Sequence, residues 1–271
     1  MTNIFKKQNP LEAEWNLLVK KERKFADSRQ QQKKSLINKA LEGKVPDKLQ
    51  DTLNMAFQKA FSLLFEKATP ILEKTYNKKK AENDYKVKEY IHSVSKDKKT
   101  LKVFRKNSSG KAALNTALSG ISGTAMGAFG VGIPDIPVLV SFMLRSIYEI
   151  AVSYGFDYEK EEEKYFILQI IRGAVSGGEA FLEIDEQLNF FAESPRLPEE
   201  YYREQHIIWT SNALSGELLY MKFLQGIPIV GAVGGFYDTA YMKQITEYAS
   251  LKYRRRFLLK QIKKDDCQIG R

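Results

Sequence analysis

Three features of the chain predict an all-α fold. Apolar residues recur at helical spacing, proline, glycine and acidic residues fall where helices start and stop, and no stretch shows convincing strand alternation. The expected architecture is a helical bundle in three parts: a lysine-rich helical region over residues 1–106, a glycine-rich domain with an apolar helical hairpin over 107–264, and a tail over 265–271.

The first helix carries Leu11, Trp15, Leu18, Val19 and Phe25 at near-helical spacing, with lysines and glutamates between them. Gly43, Pro46 and Asp47 then punctuate the chain, and Pro46 suits a helix start. The next helix has the clearest stripe in this half: Leu53, Phe57, Ala60, Phe61, Leu64, Ala68, Ile71 and Leu72, with Pro70 expected to kink or end it. A polar run from Asn77 to Asp84 is expected to separate it from a helix bearing Tyr85, Tyr90, Ile91 and Val94. Composition changes at Gly110-Lys111. No charge occurs from Ala112 to Pro134, and glycine stands at 120, 123, 127, 130 and 132. Pro134-Asp135-Ile136-Pro137 breaks the run, and an apolar helix extends to Tyr154, with Gly155-Phe156-Asp157 as its stop. Glu161, Glu162 and Glu163 favour a helix start by their charge. Gly177-Gly178 interrupts that helix, Pro198 opens another that runs to about Leu224, and a last one passes through Tyr253-Arg254-Arg255-Arg256-Phe257.

A chain of 271 residues with 43% apolar and 28% charged residues can build a sizeable core and is not globally disordered. The single cysteine, Cys267, rules out an internal disulfide, and the N-terminus lacks a signal-peptide pattern, so a cytoplasmic setting is expected. The net charge of +10 is unevenly spread: residues 1–110 hold 26 Lys/Arg against 13 Asp/Glu, and residues 111–271 hold 17 against 20. A basic front half suggests an anionic partner, either nucleic acid, lipid headgroups or an acidic protein. Its basicity is almost all lysine, which argues for solvated helix faces ahead of base or bidentate phosphate recognition.

Glycines at 120, 123, 127 and 130 share a helix face and would let another helix approach closely. The segment therefore reads as a membrane-spanning hairpin, a peripheral lipid-facing one with Phe129 and Ile133 as contacts, or a buried pair in a soluble bundle. About 20 apolar residues are needed to span, yet the run is largely Ala, Gly, Ser and Thr. In the last helix Arg254, Arg255 and Arg256, with Lys252, Lys260, Lys263 and Lys264, interleave with Leu251, Phe257, Leu258 and Ile262. Such a helix can lie on anionic lipid, or be a solvated helix whose cations suit its dipole.

Motifs of known chemistry are missing. Ser109-Gly110-Lys111 lacks the earlier glycine of a phosphate loop, and Gly130-Val131-Gly132 meets Asp135 where a dinucleotide fingerprint requires glycine. His206 shares a face with Tyr202 and Trp209 and reads as a packed core residue. No cofactor, metal cluster or small-molecule ligand is indicated. Asp135 and Asp238, at the borders of apolar segments, are the candidates for a carboxylate-centred site. Arg145, Glu149 and Asp157 join them as candidate buried charges, for which the alternatives are a helix cap at Asp135 and a plain i,i+4 ion pair at Arg145–Glu149.

Two blocks taken together resemble the bacterial EcsC family. The first is Gly127-Ala128-Phe129-Gly130-Val131-Gly132-Ile133-Pro134-Asp135-Ile136-Pro137, followed by Tyr148-Glu149-Ile150-Ala151 and Tyr154-Gly155-Phe156-Asp157. The second is Ile227-Pro228-Ile229-Val230-Gly231-Ala232-Val233-Gly234-Gly235 with Asp238, then Tyr253 to Leu258. The resemblance covers about residues 105–260. It implies a bacterial protein, cytoplasmic or peripheral to the inner face of the cell membrane, beside an ABC-type transport or export system, and brings no catalytic residues. The resulting expectation is a non-enzymatic helical protein that meets an anionic membrane surface or a membrane protein. The alternatives are a hydrolase-like enzyme centred on Asp135 and Asp238, metal-dependent or not, and non-specific nucleic-acid binding by the basic half.

Overall fold

A computed structural model describes residues 9–30, 47–68, 72–73, 76–107, 135–224 and 239–269. Among these residues the regular structure is helical: α1 (Pro10–Gln30), α2 (Asp47–Leu63) running into a π-turn at Leu64–Ala68, α3 (Lys78–Ser95), α4 (Lys98–Asn107), α5 (Asp135–Ser153), α6 (Glu161–Val175), α7 (Gly178–Glu193), α8 (Arg203–Leu224) and α9 (Thr239–Ile269). The all-α expectation holds. Most of the glycine-rich hairpin, together with Pro70, lies outside the described residues.

Local chemistry sets the helix ends. The Asn9 side chain accepts the Leu11 N–H at 3.0 Å and caps α1. Three glutamates occupy the first turn of α6 and Arg172 its last, matching the helix dipole at both ends. The chain leaves α5 through a glycine-based stop: Phe156 N–H donates to Ala151 O at 2.9 Å and Gly155 N–H to Val152 O at 2.9 Å. Gly155 sits at φ +78°, a conformation glycine adopts without strain. One sequence expectation needs correction here. The polar run from Asn77 to Asp84 does not separate two helices; Asn77 accepts the Lys80 N–H at 2.9 Å, and the lysines after it form the first turns of α3. A capping side chain and solvated lysines suffice to extend the helix backwards.

The core is continuous, running in sequence from Leu11 to Leu258. α9 is its axis and packs against α1, α5, α6 and α7, while α8 closes the other side against α2 and α6. α5 is buried along almost its whole length, between α2, α3 and α9. The helices of the lysine-rich half and those of the glycine-rich half therefore share one interior. Among the described residues, one helix is long and apolar enough to cross a membrane, Ile136–Ser153, and 89% of that stretch is buried within the bundle.

Candidate functional site

The run Lys252–Arg256 lies mid-way along α9, where the helix is surrounded. Lys252 is fully buried, with its ammonium 2.8 Å from Asp185, 2.7 Å from the Asn189 amide oxygen and 3.5 Å from Glu22. Arg254 donates to Glu14 at 2.5 Å, and Arg105 reaches the same carboxylate at 3.1 Å. Arg255 forks onto both oxygens of Glu22 at 3.0 and 2.7 Å and covers the Trp15 ring. Arg256 donates to Glu163 at 2.7 Å, with its guanidinium 4.1 Å from the Phe156 ring centre and 4.4 Å from that of Phe166. The three arginines considered for a lipid surface are thus turned inward, and they tie α9 to α1 and α6.

The other singled-out residues do not converge on one place. Arg145 is buried, with Nε 3.2 Å from the Glu149 carboxylate. Burial pushes Glu149 above the usual carboxylate range in spite of Arg145. Asp157 is exposed and accepts the Glu159 N–H at 3.1 Å, closing a turn. Asp135 begins α5, and its side chain lies outside the described residues, as do Phe129, Ile133 and Asp238. Among the described residues, no three His, Cys, Asp or Glu side chains gather where they could hold a metal ion.

A surface that sequence reasoning did not single out lies on α3 and α4. Tyr85 and His92 turn α3 towards the core. On the opposite face Val87, Tyr90, Ile91 and Val94 are exposed by 57, 71, 46 and 70%. At about 100° per residue these positions share one stripe. α4 packs beside α3 and adds Val103, exposed by 44%. Lys79, Lys80, Lys86, Lys98, Lys99 and Lys102 on the same two helices are all exposed, against the exposed acids Asp84 and Asp97 in the same segment. The spacing of Tyr90, Ile91 and Val94 was visible in the sequence, but not which face of the helix is covered.

The EcsC protein family matches residues 12–258. The chain belongs to this family. As an EcsC-family protein it is similar to two Bacillus subtilis (strain 168) proteins. It is 23% identical to "Uncharacterized protein YdbA" over 60% of this chain and 59% of that protein, and 25% identical to "Protein EcsC" over 62% and 70%. The alignment thus spans less than two thirds of YdbA's length. No solved structure matches with significance. The family match begins at residue 12 and takes in α1 to α4, well before the glycine-rich blocks.

Both histidines of this EcsC-family chain are buried. His206 sits edge-on to Tyr165 and Trp209, with ring centres 5.0 and 4.8 Å away. That is the packed core position the sequence suggested. Burial, aided by the Arg172 charge, pushes its pKa down to about 4. The unfolded chain, with an ordinary histidine, then binds a proton that the folded chain refuses. Stability is complete above the unfolded pKa of about 6.5 and is lost as pH falls from there towards about 4. We expect a loss on the order of 2 kcal/mol between pH 7 and 5, read from denaturant midpoints. Most of that loss should disappear in His206→Phe. Part remains because burial also lowers the His92 pKa. An unchanged pH slope in the variant would show that His206 titrates normally in the fold.

Proposed function

We propose that this EcsC-family protein is a non-enzymatic helical protein that docks on the anionic inner face of the cell membrane through the outer face of α3 and α4. The observation that supports this reading is the exposed stripe Val87, Tyr90, Ile91 and Val94 on helices that also carry six exposed lysines. An apolar stripe on lysine-bearing helices suits the interface of an anionic bilayer: the side chains enter the acyl boundary, and each lysine near the surface adds about 1 kcal/mol. A role beside an ABC-type transport or export system is the setting that the family resemblance implies.

Vesicle flotation tests the docking. The protein should float with phosphatidylglycerol-rich vesicles and stay behind with phosphatidylcholine vesicles. Raising salt should weaken the lysine contribution, because screening shortens the range to about 3 Å at 1 M. The double variant Ile91→Glu/Val94→Glu should cut the floated fraction at least fivefold on anionic vesicles, with the melting temperature unchanged, since both side chains are exposed. If that variant floats as well as the parent, the lipid contact lies elsewhere on the molecule.

A further inference from the structure

We infer that a cleft between α3, the end of α7 and the C-terminal part of α9 is a binding site for an amphipathic anion, one acyl chain ending in a phosphate or carboxylate. The cleft has a volume of about 830 Å³, within the range of small-molecule sites, roughly 300–1,000 Å³. It lies off the α3 stripe and does not depend on the docking of that stripe to a membrane.

Gln261 carries the argument. Its side chain lines the cleft and is only 7% exposed, yet its amide nitrogen has no hydrogen-bond acceptor among the described residues. A buried donor left without an acceptor is destabilising, and an anionic oxygen placed in the cleft would satisfy it. The surrounding charges favour that occupant. Five cations line the cleft, Lys96, Arg256, Lys260, Lys263 and Lys264, against three acids, Glu89, Glu193 and Asp265, and Arg256 is already matched by Glu163 behind the wall at 2.7 Å. Two of the acids are already matched, Glu89 by Lys264 at 2.7 Å and Asp265 by Lys96 at 3.0 Å. Lys263 is spent on the backbone carbonyl of Glu193 at 2.7 Å. Lys260 is exposed at the rim and forms no ion pair among the described residues. One amide donor and one uncommitted ammonium suit a single headgroup rather than a polyphosphate. Phe156, Ala192, Pro195 and Leu259 supply an apolar wall for the chain.

Calorimetric titration of the full chain tests this, with each probe kept below its micelle concentration. Dodecyl phosphate and dodecanoate should bind, while inorganic phosphate and zwitterionic dodecylphosphocholine bind at least tenfold more weakly. Equal affinity for inorganic phosphate would overturn the acyl assignment, and equal affinity for dodecylphosphocholine would overturn the anionic one. Gln261→Leu should weaken dodecyl phosphate at least tenfold while the melting temperature stays or rises, because the unmatched donor is gone. Lys260→Glu, on an exposed side chain, should weaken it comparably and covers the case in which the leucine variant fails to fold. Undiminished binding in both variants would overturn the site. Ile91→Glu/Val94→Glu should bind dodecyl phosphate like the parent, so failure of vesicle docking and failure of the cleft can be told apart.

Discussion

Glu14→Ala is expected to remove about 3–5 kcal/mol of stability, a large share of the roughly 5–15 kcal/mol typical of a folded domain. Glu14 is 2% exposed and neutralises Arg254, which is 4% exposed, while also holding Arg105. Truncating the carboxylate leaves the Arg254 guanidinium buried, with the Glu14 backbone carbonyl, 3.2 Å away, as its one remaining acceptor among the described residues. A buried pair contributes little net stability over an apolar pair of equal volume, so the loss comes from the stranded charge. Glu14→Leu combined with Arg254→Met should therefore recover most of the loss, which neither single variant does. Urea midpoints of the three variants decide the matter. A loss below about 1 kcal/mol in Glu14→Ala, the range of exposed pairs, would mean that water reaches Arg254.

Gly155→Ala is expected to cost about 2–4 kcal/mol, from two sources. A side chain at φ +78° carries strain of roughly 1 kcal/mol. In addition, the new Cβ would overlap the buried Tyr85 ring of α3, and overpacking of this kind costs about 1–3 kcal/mol. The two sources separate in a double-mutant cycle. In a Tyr85→Ala background, Gly155→Ala should keep only the backbone part, near 1 kcal/mol. If the cost is the same in both backgrounds, α3 does not seat on the end of α5 as described. The same measurement checks how firmly the α3–α4 face is held on the bundle.

What could be read beforehand was local. Gly155 as a stop, the glutamates opening α6 and the break before Gly178 all act within a turn or two of chain, and all three stand in the structure. His206 was readable for the same reason, because its aromatic neighbour Trp209 lies on its own helix. The fate of the basic run was not readable. Arg256, Arg255 and Arg254 find their partners 93, 233 and 240 residues away, so composition near them says nothing about burial. One local clue existed. Cations at 252, 254, 255 and 256 spread over an arc of about 200° at about 100° per residue, wider than the single polar face of a helix lying on a membrane. The α3 stripe was missed for a different reason: the helix has apolar residues on two faces, and periodicity alone does not say which of them the bundle covers.

The central position of α9 also orders events during synthesis. Every helix that α9 packs against leaves the ribosome before it does. Glu14 and Arg254 are 240 residues apart, so at roughly 5–20 residues per second the glutamate waits about 12–48 s for its arginine. During that time Glu14, Glu22, Glu163 and Asp185 have no α9 cations to meet, and a dry interior that included them would be costly. The ionic interior of the bundle is therefore completed only when the basic run of α9 packs against these four carboxylates. A chain interrupted before residue 252 lacks every one of these cations and leaves Glu14, Glu22, Glu163 and Asp185 without their α9 partners.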